Sequence, residues 1–216
     1  RAMTRITRWW WIRHAPVTTA GGRLYGQRDM PADTSESAVE PAVFAGLASA
    51  LPQPATWITT HLQRTHQTAE AIADAGHKVP QRQIERDFVE QHFGDWQGRS
   101  WDELNDENGD ALHKFWIAPA HHAPPGGESF NDVLARVGTA MDRLTETLAG
   151  SDIVVVAHGG SIRAAVAHAL DLAPDRALAI TVDNCSLTRI DHIDGPGEGG
   201  NWRLGAVNGR PGLNHV

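Results

Sequence analysis

The stretch W-W-W-I-R-H, residues 9–14, is an apolar run that ends abruptly in a cation and an imidazole. A short apolar run of this kind is typical of a buried β-strand. A second run, I-V-V-V-A over residues 153–157, ends in the same way, in His158 and two glycines. Open α/β sheets place their chemistry at the carboxyl ends of such strands. Two histidines at strand ends, with arginines close by, indicate a site that handles phosphate through a nitrogen nucleophile.

Strand and helix patterns alternate along the rest of the chain. Apolar residues at three-and-four spacing predict a helix over 130–149, with Ser129 as its N-cap and Gly150 as its stop. Further helices are predicted over 35–50, 63–75 and 161–170, and strands over 8–13, 56–59, 83–87, 153–157, 185–193 and 202–207. This alternation predicts an α/β fold, a three-layer α/β/α sandwich with a mostly parallel central sheet.

The segment over residues 88–128 is less regular than its surroundings. Its tetrad S-W-D-E at 100–103 has the spacing of a capping box and predicts the start of a short helix. A second short helix is predicted over 110–117, and prolines and glycines then mark a loop. We interpret residues 88–128 as an insertion that caps the active site, within a single domain that spans residues 1–216.

Composition and charge limit the classes of function. A chain of 216 residues with a formal net charge of −7 offers no overall attraction for nucleic acid or an anionic membrane. No segment reaches the roughly 18 apolar residues of a membrane span, and the first apolar run is too short for a signal peptide. The single cysteine, Cys185, excludes an internal disulfide and fits a cytoplasmic protein. We expect it to be a small core residue in a strand.

Two arginines stand where they can meet an anion. Arg13 precedes His14, and a guanidinium group offers a charged, planar fork of donors beside a potential imidazole nucleophile. Arg64 begins a helix directly after the strand over 56–59, where backbone N–H groups and the helix dipole also favour an anion. Each residue taken alone has a structural alternative as a core or surface side chain, and only their combination points to phosphate.

Glu90 and the segment His158-Gly159-Gly160 complete the candidate set. Glu90 follows a strand and enters a loop rich in glycine and aromatic residues. A carboxyl group partly buried beside aromatic rings gains proton affinity, as a general acid needs. The glycines after His158 let the backbone approach a ligand at a helix start, which makes Gly159 a candidate phosphate-binding residue. A surface glutamate is the structural alternative for Glu90.

Five motifs occur in order within residues 13–164: R-H-A, L-Q-R-T-H-Q-T-A-E, E-Q-H-F-G-D-W-Q-G, P-G-G-E-S and V-A-H-G-G-S-I-R-A. Through this ordered set the chain resembles the histidine phosphatase superfamily, also called phosphoglycerate mutase-like, whose fold we therefore expect. The resemblance implies His14 as the nucleophile that accepts phosphate and Glu90 as the proton donor. It implies a phosphate pocket made by Arg13, Arg64 and His158. It implies no metal and no cofactor.

The chain departs from the family pattern at two positions near the first histidine. Ala15 stands where the family usually has glycine, and Ala20 stands where mutases and many phosphatases have asparagine. The first change is small. The second removes one phosphate donor, and Tyr25 with Gly26, or Gln27, can replace it. Tyr25 and Gly26 are therefore candidate substrate-binding residues.

The same resemblance favours hydrolysis over phosphate transfer between substrates. Phosphoglycerate mutases carry an arginine pair after a tryptophan of the insertion, whereas Trp116 is followed here by Ile117 and Ala118. Mutases also usually have asparagine where Gly160 stands. The motifs F-G-D-W-Q-G-R-S-W-D-E-L and Y-G-Q-R-D look most like α-ribazole phosphatases. We expect a phosphatase of a small phosphorylated metabolite, with α-ribazole 5′-phosphate as a candidate. A phosphoglycerate mutase and an inactive phosphate-binding module are the alternatives.

Other interpretations have less behind them. A serine hydrolase is disfavoured because G-G-S-I-R at 159–163 lacks the last glycine of a nucleophile elbow. The pair His121-His122 lacks metal-ligand spacing, so no metal site is predicted. The expected partner is a small phosphorylated substrate, without nucleic acid or membrane, and a homodimer stays open. Three tryptophans either pack the insertion or cover the site for a bulky apolar substrate: Trp96, Trp101 and Trp116.

Overall fold

The computed structural model describes residues 4–108, 120–195 and 201–213. A six-stranded sheet crosses the described part of the chain in the order β3-β2-β4-β1-β5-β6. Its strands are β1 (Ile6–Arg13), β2 (Thr56–Thr59), β3 (Gln83–Ile84), β4 (Asp152–Ala157), β5 (Leu187–Ile193) and β6 (Trp202–Gly209). The first four strands pair in parallel, and β5 and β6 pair antiparallel. The prediction of a mostly parallel sheet is confirmed.

Helices cover both faces of this sheet. They are α1 (Pro41–Ala50), α2 (Gln63–Asp74), α3 (Trp101–Asn108), α4 (Phe130–Thr147), α5 (Gly159–Leu170) and the short α6 (Pro174–Ala177). Helices α1 and α2 share one buried cluster with the sheet, and α4 and α5 share another. The three-layer α/β/α arrangement is therefore confirmed. None of the helices in the described residues is long and apolar enough to cross a membrane.

Alternation along the strands supplies both cores. Successive side chains of a strand point to opposite faces, so Trp11 and Val155 join the cluster under α4 while Ile12 and Val154 join the one under α1. Trp11 also meets the ring of Phe88 edge-on, with 4.8 Å between the ring centroids. This contact fixes the chain just before Glu90 against the central strand.

Local signals explain where the elements begin. Ser129 is the N-cap of α4 as predicted, and it forms a capping box with Asp132: Asp132 N donates to Ser129 Oγ at 3.2 Å and Ser129 N donates to Asp132 Oδ2 at 2.8 Å. Ser100 and Glu103 do the same for α3, with bonds of 3.2 and 2.9 Å. Both predicted helix starts are confirmed.

Several element boundaries differ from the prediction, and one predicted helix is not covered. Helix α1 begins at Pro41 and not at residue 35, because proline is preorganised for the first helical position. Strand β3 ends at Ile84, because the chain turns into a 3₁₀ helix over Arg86–Phe88. The helix predicted over 110–117 lies outside the described residues.

Candidate active site

The two histidines leave the sheet side by side. Strands β1 and β4 are parallel neighbours, with Arg13 level with Ala157, so His14 and His158 emerge at the same edge. His14 N donates to Ala157 O at 3.0 Å, and the ring centroids of the two histidines lie 5.2 Å apart. Both side chains are buried, and they form the floor of the site.

Within the described residues, one nitrogen of the His14 ring has a hydrogen-bond partner and the other has none. Its Nδ1 lies 2.7 Å from Ala15 O, and a carbonyl oxygen can only accept, so Nδ1 carries the hydrogen. Burial, together with the nearby cations of Arg64 and Arg13, lowers the pKa of His14 to about 3. The ring is therefore neutral, and its Nε2 keeps a lone pair available for attack.

Arg64 is fully buried at the start of α2, and its side chain is held by a loop that comes earlier in the sequence. Its Nη1 donates to Arg28 O at 2.7 Å and its Nη2 to Gly26 O at 2.6 Å, while the guanidinium carbon lies 4.9 Å from the Tyr25 ring centroid. Burial lowers the pKa of Arg64, and Glu90 opposes that shift. Tyr25 and Gly26 thus contact the arginine, and their direct contact with phosphate stays a prediction.

Three buried side-chain nitrogens around His14 have no hydrogen-bond partner within the described residues. They are Arg13 Nε, Arg64 Nε and a ring nitrogen of His158, Nδ1. Buried polar groups are almost always hydrogen-bonded, so a cluster of unpaired donors is characteristic of a binding site. Burial is the largest cause that lowers the pKa of His158 well below its ordinary value, and the charges of His14 and of the nearby arginines lower it further. The cluster therefore combines two cations with a neutral ring, as an anion site requires.

Glu90 lies against the first turn of α5. Its Oε2 accepts from Gly160 N at 3.4 Å, and its Oε1 accepts from Gln91 N at 2.9 Å. A Cβ atom at position 160 would fall on Glu90 Oε1. Glycine at 160 therefore makes room for the carboxylate, and the asparagine that mutases carry there would displace it from this position.

Arg136 and Glu128, which the sequence analysis did not single out, hold the Glu90 segment. Arg136 on α4 donates to three backbone carbonyls: Asp87 O at 2.6 Å, Val89 O at 2.8 Å and Glu90 O at 3.1 Å. Its Nε lies 2.8 Å from Glu128 Oε1. We call these two residues the Arg136–Glu128 clamp. Glu128 belongs to the P-G-G-E-S motif, so the sequence contains a signal for a role near the site. No sequence signal points to Arg136.

The loop over residues 182–186 forms hydrogen bonds with Arg13 and His14. The sequence analysis did not identify it. Arg13 Nη1 donates to Val182 O at 2.6 Å, and Asn184 Nδ2 donates to His14 O at 2.8 Å. Cys185 N donates to Arg13 O at 2.8 Å, which requires a left-handed backbone with φ of 59°. Cys185 is buried as predicted, but its predicted place in a strand was wrong, because β5 begins only at Leu187.

Arg163 places a third cation beside Arg13. Its Nη1 would lie 3.1 Å from a Cβ atom at Gly159, and Arg13 Nε would lie 3.5 Å from the same position, so the two guanidinium groups flank Gly159. Trp96, by contrast, is buried in a small cluster with Leu104, which favours packing over a role as cover. Residues 116–118 lie outside the described residues.

Comparisons with known proteins identify the family of the chain. The model of the histidine phosphatase superfamily (branch 1) matches residues 9–204. The chain belongs to the histidine phosphatase superfamily. It is 34% identical over 220 residues to a glucosyl-3-phosphoglycerate phosphatase of Mycolicibacterium vanbaalenii, covering 94% of this chain and 95% of that protein.

Solved structures carry the same fold. The mycobacterial glucosyl-3-phosphoglycerate phosphatase Rv2419c superposes with a TM-score of 0.76 at 30% identity, over 96% of this chain and 100% of that one. A putative α-ribazole-5′-P phosphatase of Escherichia coli superposes with a TM-score of 0.78 at 25% identity, over 95% and 97%. The chain spans about half the length, 48%, of other curated relatives such as the bifunctional protein Rv2228c of Mycobacterium tuberculosis, to which it is 30% identical over 177 residues, 82% of this chain.

Proposed function

We propose that the chain hydrolyses phosphomonoesters of a small metabolite through a phosphohistidine at His14. One observation carries the proposal: the unpaired donors of Arg13, Arg64 and His158 surround a neutral imidazole whose Nε2 is free. A phosphoryl group carries its charge on three oxygens, and its transfer depends mainly on positioning it and neutralising that charge. The pocket supplies both.

In the first step the Nε2 lone pair of His14 forms the bond to phosphorus. The bond from phosphorus to the ester oxygen breaks, and Glu90, in its protonated form, gives its proton to that oxygen as the alcohol leaves. Arg13, Arg64 and His158 donate to the three phosphoryl oxygens during this exchange. Preorganised donors of this type are each worth roughly 10²–10³ in rate.

In the second step Glu90, now a carboxylate, takes a proton from a water molecule. The water oxygen attacks phosphorus, the bond to His14 Nε2 breaks, and inorganic phosphate leaves with the imidazole neutral again. The position of Glu90 over the first turn of α5, beside the phosphate pocket, suits one group for both proton transfers. We propose that residues 88–128, which carry Glu90, cap the site within a single catalytic domain.

The substrate is proposed at two levels. The site fits any small phosphomonoester, and α-ribazole 5′-phosphate is a candidate because of the motifs around residues 93–104 and the similar structure from Escherichia coli. Glucosyl-3-phosphoglycerate is a second candidate, favoured by the 34% identity over nearly the full length of both chains. A screen of these two compounds with phosphoserine, scored by phosphate release, separates the candidates.

The covalent intermediate is tested by labelling. Brief incubation with a ³²P-labelled generic phosphoester, followed by a quench in alkali, should leave label on the wild-type protein that acid removes. His14→Ala should abolish both labelling and turnover. His168→Gln, near the end of α5 and outside the pocket, should retain both. Label that persists in the His14→Ala variant, or an unlabelled and inactive wild type, would refute the proposal and favour a binding module.

The mutase alternative is tested separately. The enzyme is given 3-phosphoglycerate with its 2,3-bisphosphate primer, and both isomerisation and phosphate release are followed. We expect phosphate release to dominate, because Gly160 leaves Glu90 in place for the attack of water. Isomerisation faster than phosphate release would identify a mutase.

A further inference from the structure

We propose that Thr60 is a positioning residue that holds His158 as the Nδ1–H tautomer, so that His158 acts as a neutral donor to a phosphoryl oxygen. The tautomer stands on the hydrogen bonds of the protein alone. Its consequence for phosphate rests on the proposed function. Thr60 lies between β2 and α2, where the chain leaves the sheet one residue after Thr59.

The hydrogen-bond inventory of Thr60 sets the direction of the bond. Its hydroxyl oxygen already accepts from Leu62 N at 3.3 Å, and it lies 3.0 Å from His158 Nε2. A threonine hydroxyl has one hydrogen to donate, and among the described residues that hydrogen has one acceptor, the ring nitrogen. Nε2 therefore accepts, and in a neutral imidazole the hydrogen must then reside on Nδ1.

Placing the ring hydrogen on Nε2 of His158 would be unfavourable both at Thr60 and at the phosphate pocket. With the hydrogen on Nε2, the hydroxyl hydrogen of Thr60 would be left without an acceptor in a fully buried position. Nδ1 would then present a lone pair to an incoming phosphate oxygen, where the two would repel. With the hydrogen on Nδ1, the one unpaired group is a donor, and that is what an anion needs.

The contrast with His14 shows why the two neighbouring rings differ in role. In His14 the Nδ1–H is consumed by Ala15 O and Nε2 is left free, so the ring is a nucleophile. In His158 Nε2 is consumed by Thr60 and Nδ1–H is left free, so the ring is a donor. Both rings carry the same tautomer, and the hydrogen-bond partner alone decides which edge faces the phosphate.

The chain contains a matched control one residue away. Thr59 is also fully buried, and its Oγ1 lies 3.4 Å from Nε2 of another histidine, His66 on α2. Thr59→Val therefore removes a buried threonine hydroxyl beside a histidine without touching the pocket. Thr60→Val is isosteric and cannot donate, and Thr60→Ser keeps the hydroxyl.

The tautomer is read directly from long-range ¹H–¹⁵N spectra of ¹⁵N-histidine-labelled protein, with His158 assigned by loss of its signals in His158→Gln. In the wild type, Thr60→Ser and Thr59→Val we expect a protonated Nδ1 and an unprotonated Nε2. In Thr60→Val we expect the two nitrogen shifts to move toward each other as the second tautomer becomes populated. A wild-type ring with the hydrogen on Nε2 would overturn the proposal, whatever the variants do.

Affinity for inorganic vanadate supplies the functional readout. We expect Thr60→Val to bind vanadate about 10- to 100-fold more weakly, the range for one lost hydrogen bond to a charged group. Thr60→Ser and Thr59→Val should stay within about twofold. Equal weakening in Thr60→Val and Thr59→Val would mean a structural role only. If the wild type neither turns over phosphoesters nor labels at His14, the proposed function fails, while the spectra still decide the tautomer.

Discussion

Glu90 joins two parts of the protein that are distant in sequence: its side chain rests on Gly160 of α5 and its carbonyl oxygen on Arg136 of α4. Among the residues proposed for the pocket it is the single acid, and it faces Arg64 and Arg163, whose pKa values respond to its charge. Its role as a proton donor can be separated from a merely electrostatic role by the choice of leaving group.

Glu90→Gln should lose about 10²–10⁴ in kcat on an alkyl phosphate, the range for general acid catalysis. The loss on p-nitrophenyl phosphate should be much smaller, because nitrophenolate leaves without a proton. The ratio of kcat values for the two substrates is the measurement. Equal losses on both would assign Glu90 to charge or structure and not to proton transfer.

Gly160→Ala should reproduce this defect without altering the acid itself, since a Cβ there would fall on Glu90 Oε1. Its loss should also be larger for the alkyl phosphate, and Glu90→Gln combined with Gly160→Ala should be no worse than Glu90→Gln alone. Gly205→Ala on β6, where the nearest atom would be at an ordinary 3.5 Å, is the control. Additive losses in the double variant would contradict this coupling.

Among the helices, α4 positions the backbone around Glu90 through the Arg136–Glu128 clamp. Arg136→Ala should therefore reduce kcat on alkyl phosphates by at least tenfold, with KM for p-nitrophenyl phosphate little changed. Arg143→Ala is the matched control: Arg143 lies on the same helix and pairs with Glu85 at 2.5 Å, and the arginine side chain is 54% exposed. Exposed pairs contribute little. Similar defects in both variants would show that α4 matters only for stability.

The helices and strands also show which parts of the fold and the site can be predicted from the sequence. Strand ends and helix starts lie near signals in the sequence, so position makes His14, Arg64 and His158 candidates. Their roles follow from their combination and from the resemblance to the family. Pro41 is such a signal too, because proline favours the first turn of a helix, and it explains why α1 does not begin at residue 35. The supports of the site had no local signal. Asn184 reaches His14 across 170 positions, and no periodicity or spacing contains that contact.

For the molecule as a whole, two buried neutral histidines make stability depend on pH. His14 has a pKa of about 3 when folded against 6.5 when exposed, so the unfolded chain binds more protons between these values. The free energy of unfolding should be unaffected by His14 above about pH 7 and should fall as pH drops from 6.5 toward 3, by up to about 1.4 kcal/mol per pH unit. His158, shifted in the same direction, adds to the fall.

Urea unfolding at several pH values checks this expectation in His14→Gln compared with the wild type. The difference between their free energies of unfolding should be flat above pH 7 and should change steadily in favour of the variant below pH 6. A difference that stays constant down to pH 4 would mean that His14 protonates as easily in the folded protein as in the unfolded chain.

Cys185 offers a probe of how readily the loop over residues 182–186 opens in the folded protein. It is 4% exposed, and burial raises the pKa of its thiol to about 12, so the reactive thiolate is scarce at neutral pH. Iodoacetamide at pH 8 should label the folded protein at a rate limited by opening of this loop. In urea above the unfolding midpoint, labelling should be as fast as for free cysteine. Rapid labelling without urea would show that this loop is open in the native state.

The strand order has a consequence for how the protein is made. Strand β1 leaves the ribosome before the other five strands, yet both of its neighbours in the sheet, β4 and β5, are synthesised far later. A nascent chain that stops before Asp152 holds three tryptophans of β1 with no strand on either side. Such pairings close large loops and form slowly. Incomplete chains should therefore be targets for chaperones and proteases, and resistance to proteolysis should appear only once Ile193 has left the exit tunnel.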